Sequence, residues 1–186
     1  IGEICTIRVP SLNNTVMAEV VGLDGTTVKL SAFGNTRGIE VGCEVVASGK
    51  TLQVPVGKSL LGRVIDATGS PCDGKGALVP ETYYPADCEP PDPMIRRPID
   101  KRITTGVRAI DTLLTVGKGQ RLGIFAGSGV GKSTLLSMIA RNTNADVNVI
   151  ALIGERGREV LDFINRDLGE EGLKRSVVIV ATSDQP

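Results

Sequence analysis

One segment constrains this chain more than any other: Arg121-Leu-Gly-Ile-Phe-Ala-Gly-Ser-Gly-Val-Gly-Lys-Ser-Thr-Leu-Leu-Ser-Met-Ile-Ala140. A short apolar run ends in a glycine-rich turn, which passes through Lys132 and Ser133 into an amphipathic helical pattern. Strand, loop and helix in that order are what a phosphate-binding loop needs. Gly127, Gly129 and Gly131 let the backbone curl so that several N–H groups face phosphate oxygens. The helix that follows adds its positive end, and Lys132 supplies a full charge for β- and γ-phosphates. Ser133 is placed to coordinate the Mg²⁺ that travels with a nucleotide. The strict motif asks for glycine at the position of Ala126, so the match departs by one residue. A second Gly-Lys-Ser, Gly57-Lys58-Ser59, follows Gln53-Val54-Pro55-Val56, where no glycine can curl a loop, and it reads as an ordinary turn.

Composition narrows the function classes. The chain has 186 residues, with 21 lysines plus arginines against 21 aspartates plus glutamates. That balance carries no basic field for nucleic acid or a membrane surface. No apolar run approaches a membrane span, and no secretory leader opens the sequence. Cys5, Cys43, Cys72 and Cys88 are scattered, without a C-x-x-C pair, and histidine is absent. A zinc site of the usual ligand kinds is not expected, and the thiols read as reduced, in a cytosolic setting. The chain begins at Ile1 and stops at Ser183-Asp184-Gln185-Pro186, just past a buried-looking strand, so both ends are expected to be cut.

Between residues 3 and 66 the pattern is short alternating strands divided by glycine turns. Glu3–Val9, Val16–Leu23, Thr27–Ala32, Glu44–Ser48 and Leu60–Asp66 are the predicted runs, with Asp24-Gly25 as a hairpin signal. Strands at this spacing predict a small closed β-barrel over residues 1–77, a scaffolding or oligomerisation module without a catalytic constellation. Six of the ten prolines fall between Pro80 and Pro98, so residues 78–103 read as an extended connector in which neither helix nor central strand persists. Arg96, Arg97, Lys101 and Arg102 read as a solvated face of it. Residues 104–186 then alternate helix and strand. A helix carrying Val107, Ile110, Leu113 and Leu114 precedes a strand at Arg121–Phe125. Leu135, Leu136, Ile139 and Ala140 form the buried face of the next helix. Asp146–Ile153 is a parallel strand covered on both faces. A helix bearing Val160, Phe163, Ile164 and Leu168 leads to a last strand at Ser176–Ser183.

Gly154-Glu155-Arg156-Gly157-Arg158-Glu159 stands at the carboxyl end of the second of these strands, where open α/β sheets place their chemistry. Hydrolysis of a γ-phosphate needs a carboxylate to orient and deprotonate water, and a cation to hold the transferred group. Glu155, first after the strand, is the expected water-activating carboxylate. Arg156 is expected to steady the γ-phosphate or the segment itself. Glu159, one helical turn on, is expected to reach the water shell of the metal, and Arg158 has a structural role or none.

The run Gly119-Gln120-Arg121 through Thr134, with Leu152-Ile-Gly-Glu-Arg-Gly-Arg-Glu159, closely resembles the export ATPases of the bacterial flagellum and of type III secretion systems, relatives of the rotary ATP synthase catalytic subunit. Pro90-Pro91-Asp92-Pro93-Met94, Thr105-Gly-Val-Arg-Ala-Ile-Asp111 and Val180-Ala-Thr-Ser-Asp184 resemble segments of the same family, so the likeness covers essentially the whole chain. Alanine at 126 is typical of the group. The resemblance implies an α/β fold: a six-stranded amino-terminal β-barrel, then the first part of a RecA-like P-loop domain with a parallel sheet. It implies ATP and Mg²⁺ as cofactors. Gly127, Ser128, Gly129, Val130, Gly131, Lys132, Ser133 and Thr134 would bind the phosphates, and Glu155 would be the catalytic carboxylate. It implies a cytoplasmic homo-hexamer at the inner-membrane export gate, working with export chaperones, secreted substrates, and regulatory and stalk proteins. The flagellar system is favoured by Gly117-Lys-Gly-Gln and Leu161-Asp-Phe-Ile. A second acidic metal motif, an arginine finger and the adenine pocket would all lie beyond Pro186, so this piece alone is expected to be inactive. A virulence-type secretion ATPase, a non-catalytic nucleotide-binding ring subunit and a RecA-like nucleic-acid motor are the alternatives. Glu155 argues against the second, and the charge balance against the third.

Overall fold

The structure is a computed structural model that describes every residue except Ser128 and Pro186. The chain divides into two compact units. The first comprises residues 1–57 and 80–89, the second 58–79 and 90–184.

In the first unit, β1 (Glu3–Val9), β2 (Asn14–Asp24), β3 (Thr27–Ala32) and β4 (Val45–Thr51) form a sheet in the order β3-β2-β1-β4. All its pairings are antiparallel. Alternation decides the inner face: Ile7, Val9, Val16 and Ala18 close a core, while the intervening Arg8, Thr15 and Met17 are exposed. These four strands coincide with the first four predicted runs to within a few residues. Register shifts in β1–β4 and β2–β3 add the local bending that a curved barrel wall requires. The same unit holds β5 (Gln53–Val56), which forms a separate two-stranded antiparallel ladder with a strand from the proline-rich stretch.

The second unit contains β6 (Val64–Asp66), and here the structure corrects an expectation. The sequence pattern places the run at 60–66 in the barrel. Instead Val64, Ile65 and Asp66 pair in parallel with Val178, Ile179 and Val180. Consecutive Val64 and Ile65 are both buried, at 7% and 6% exposure, so both faces of the segment are covered, as in a parallel sheet. An ion pair sets this strand. Asp73 receives hydrogen bonds from Arg63 Nε (2.7 Å) and Nη2 (3.0 Å), and from the Val64 N–H (3.1 Å). The proline-rich stretch also departs from a featureless connector, because β7 (Thr82–Pro85) is the partner of β5. That two-stranded ladder leaves β7 an edge, the one place a proline is tolerated in a strand.

Then follow α1 (Arg108–Leu113), α2 (Lys132–Asn142), β8 (Asn148–Glu155), α3 (Gly157–Asp162), a π-helical segment (Phe163–Leu168), α4 (Gly169–Lys174) and β9 (Ser176–Thr182). The parallel sheet runs β6-β9-β8. One of its faces buries Ile150, Leu152, Val178 and Val180 against Ala140 of α2, Val160 of α3, and Phe163 and Leu168. The other face packs Ile65 and Val177 with Leu60. The strand expected at Arg121–Phe125 is a third correction, since the segment joins no ladder among the described residues. A parallel strand needs a neighbour to take its N–H and C=O groups, and here Leu122, Ile124 and Phe125 are exposed at 45%, 37% and 96%. No helix among the described residues is long and apolar enough to cross a membrane.

Candidate functional site

Helix α2 starts at Lys132 because the two glycines before it supply backbone that other residues resist. Gly129 and Gly131 have φ of +75° and +97°, and a Cβ added at either would meet nothing within 4 Å. The turn is therefore required for its conformation, and the space in front of it is open. Leu135 N–H donates to the Gly131 carbonyl at 2.9 Å, the first bond of the helical ladder. The N–H groups of Lys132, Ser133 and Thr134 thus sit at the helix start, where no carbonyl of the preceding turn takes them. An 11-residue helix also directs its positive end there.

Across from this end stands the carboxyl end of β8. Glu155 is its last residue, two places later than the sequence pattern put the strand end. It belongs to the ladder only through a register shift after Ile153, by which Glu155 pairs with Thr182. Gly154 has φ +72°, so the shift turns on a glycine in left-handed conformation. A cleft of about 480 Å³ is lined by Gly129, Gly131, Lys132, Ser133 and Thr134 on one side and by Glu155, Glu159, Asp162, Phe163 and Asp167 on the other. An adjoining apolar cleft shares Lys132, Ser133, Glu155, Glu159 and Phe163 and extends to Leu122 and Ile124.

The other predicted residues are placed as follows. Arg156 Nη1 binds Glu159 Oε1 at 3.3 Å, on an exposed surface, so it holds the α3 start rather than lining either cleft. Gly127 and Val130 do not line the cleft, Val130 being 65% exposed. Ser128 lies outside the described residues. Asp162 and Asp167 were missed. Asp162 is three residues beyond Glu159, a spacing that a helical reading could have used. Asp167 carried no signal, because an α-helix would turn it away from Asp162. The π segment bonds i to i+5, so residues five apart come into line. Phe163 and Leu168 are accordingly both buried, and Asp162 and Asp167 both reach the cleft.

The donor set suits a magnesium nucleotide. Ser133 offers a hydroxyl, and Glu155 and Glu159 offer hard carboxylate oxygens. No three acidic, cysteine or histidine side chains converge among the described residues. Mg²⁺ characteristically takes one or two protein oxygens and completes its shell with phosphate and water.

Sequence comparison decides the family. The nucleotide-binding domain of the ATP synthase alpha/beta family matches residues 106–186, and the beta-barrel domain of the same family matches residues 1–49. The chain belongs to the ATP synthase alpha/beta family. Among curated relatives of this family member are the flagellum-specific ATP synthases of Treponema pallidum, 59% identical over 189 residues, and of Bacillus subtilis, 56% identical over 189 residues. The type 3 secretion system ATPase of Xanthomonas euvesicatoria is 51% identical over 185 residues. Each alignment takes in 100% of this chain, and the chain spans 41%, 43% and 42% of those relatives' lengths. The assembled ATPase EscN of the enteropathogenic E. coli type III secretion system superposes with a TM-score of 0.88 at 45% identity, covering 100% of this chain and 44% of that one. EscN has also been solved in complex with its central stalk EscO, and that structure matches with a TM-score of 0.86.

Proposed function

We propose that this chain supplies the β-barrel and the phosphate-binding half of an ATP-hydrolysing subunit of a bacterial protein export apparatus. The observation that carries the reading is a cleft with Lys132 and Ser133 on one wall and Glu155 on the other. In the reaction, N–H groups of the α2 start and the Lys132 ammonium bind the β- and γ-phosphates. Ser133 would hold Mg²⁺, which when bound would supply charge neutralisation at the transferred phosphoryl group. Glu155 orients a water and takes its proton as the oxygen attacks the γ-phosphorus, while the bond from that phosphorus to the β,γ-bridging oxygen breaks and ADP leaves with the bonding pair. Glu159 would hold water of the metal's shell, and Arg156 keeps Glu159 in place. Gly127 and Val130 contribute backbone to the loop.

The flagellar system is favoured because the two flagellum-specific relatives stand at 59% and 56% identity against 51% for the secretion ATPase. By the same likeness, the complete subunit works as a homo-hexamer with a central stalk. It stands in the cytoplasm at the membrane export gate, where hydrolysis helps to release export substrates from chaperones. In the complete subunit, Lys132→Ala and Glu155→Gln are each expected to lower MgATP turnover at least ~10²-fold. Glu155→Gln should keep nucleotide affinity, since it removes a base and not a phosphate contact. Steady-state phosphate release and fluorescent-nucleotide titration measure the two. Near-parental turnover in either variant removes the assignment. Restoration of motility, rather than of effector secretion, by the full gene in deletion strains separates the two export systems.

A further inference from the structure

We propose that Arg175 is a positioning residue for phosphate chemistry at the opposite end of helix α2, an inference that rests on the hydrolase reading above. Arg175 lies between α4 and β9, and its guanidinium donates four hydrogen bonds to the tail of α2 and the turn after it. Nη2 reaches the carbonyls of Ala140 (2.8 Å) and Arg141 (2.9 Å), and Nη1 those of Thr143 (3.0 Å) and Ala145 (3.1 Å). These include last-turn carbonyls of α2, which have no partner within the helix, and a cation there also complements the helix dipole.

The placement gives the clamp a role beyond capping. Asn148 opens β8 opposite Ser176, which opens β9, and Glu155 closes β8 opposite Thr182. Arg175 is therefore fixed to the starting end of the strand pair whose finishing end carries Glu155. Helix α2 runs the other way, its tail held at Arg175 and its head presenting Lys132 beside Glu155. The side-chain contacts of Ala140 with the sheet are apolar and non-directional, so they resist separation better than sliding. Asn148 Nδ2 of β8 adds one directional bond, to the Ala140 carbonyl at 2.8 Å, and the four bonds from Arg175 extend that hold to Arg141, Thr143 and Ala145. A planar guanidinium with fixed donor directions resists sliding. A helix of 11 residues is a rod of roughly 16 Å. An axial shift at its tail appears undiminished at Lys132.

A bound phosphate travels with the loop and Lys132, so such a shift leaves ground-state binding largely intact. What it spoils is the register of the γ-phosphate against Glu155, which stays with the sheet. Loss of the clamp should thus lower kcat and spare KM. In the complete subunit, Arg175→Met is expected to reduce kcat for MgATP about tenfold, and Arg175→Lys, which keeps charge but loses the fork, about threefold, with KM within about twofold of the parent in both. If Arg175→Met does not fold, Arg175→Lys carries the test by the same measure. Parental kcat in the folded variants, with only a lower melting temperature, overturns the proposal and leaves Arg175 a simple cap. An equal rise in KM without loss of kcat overturns it as well. Lys132→Ala, assayed in parallel, separates the two levels of inference. If Lys132→Ala hydrolyses ATP at the parental rate, the hydrolase reading falls and takes this one with it. If Lys132→Ala is inactive while the Arg175 variants run at full speed, only the positioning role falls.

Discussion

Asp73 shows how much one side chain can organise in a short strand. The Arg63 guanidinium, beside it at 2.7 Å, holds its carboxyl well below the usual carboxylate range. Burial opposes this, and N–H donors of Lys75 and Val64 add to it. A folded-state pKa below the ordinary value of 3.8 means that Asp73 contributes its full stability above about pH 4 and loses it progressively as pH falls from there to the lowered folded-state value. Asp73→Ala is expected to cost about 2 kcal/mol at neutral pH, because it leaves the Arg63 charge and the Val64 N–H without their acceptor. Urea unfolding at pH 7 and at pH 3 checks both points: the gap between parent and variant should narrow in acid. An unchanged gap would mean that the pair contributes nothing pH-dependent. Gly106 is constrained differently. At φ +76°, a Cβ there would run into the Asn142 Cβ, so the turn before α1 is pressed against the end of α2. Its glycine was visible in the sequence as part of Thr104-Thr105-Gly106, but the need for it was not, because Asn142 is distant in sequence.

Among the elements, those with strong local periodicity were legible. Strands β1 to β4, helix α2 and strands β8 and β9 all fall close to where alternation and helical spacing put them. Elements defined by a distant partner were not. Strand β6 has three residues and pairs with β9, so nothing local told it from a barrel strand. Strand β7 was hidden by its prolines, and Arg121–Phe125 has an apolar pattern without a ladder among the described residues. At the site, Lys132, Ser133 and Glu155 were readable from motif and strand end, whereas Asp167 depends on a π turn that no spacing announced. The sheet itself gives an element-scale test. Val178 is 0% exposed and sits in β9 opposite Val64 of β6 and Ile150 of β8. Val178→Ala is expected to destabilise the second unit by about 2 kcal/mol through lost burial and a residual cavity. Denaturation followed by hydrogen exchange should confine the loss to residues 58–79 and 90–184, and equal loss in the barrel sheet would count against the division into units.

For the whole molecule, the division itself has a mechanical outcome. The chain passes from one unit to the other after residue 57, returns after 79 and crosses again after 89. A single peptide cut between residues 57 and 58 would sever the first 57 residues covalently, yet the β5–β7 ladder would still tie them to the segment at 80–89. The expected outcome is one species in native size-exclusion chromatography and two fragments on a denaturing gel. Separation under native conditions would show that the ladder is too weak to serve as a hasp. A chain laced together in this way, rather than strung like beads, lets a pull or twist applied to its first unit travel by more than one thread to the unit that carries Lys132 and Glu155.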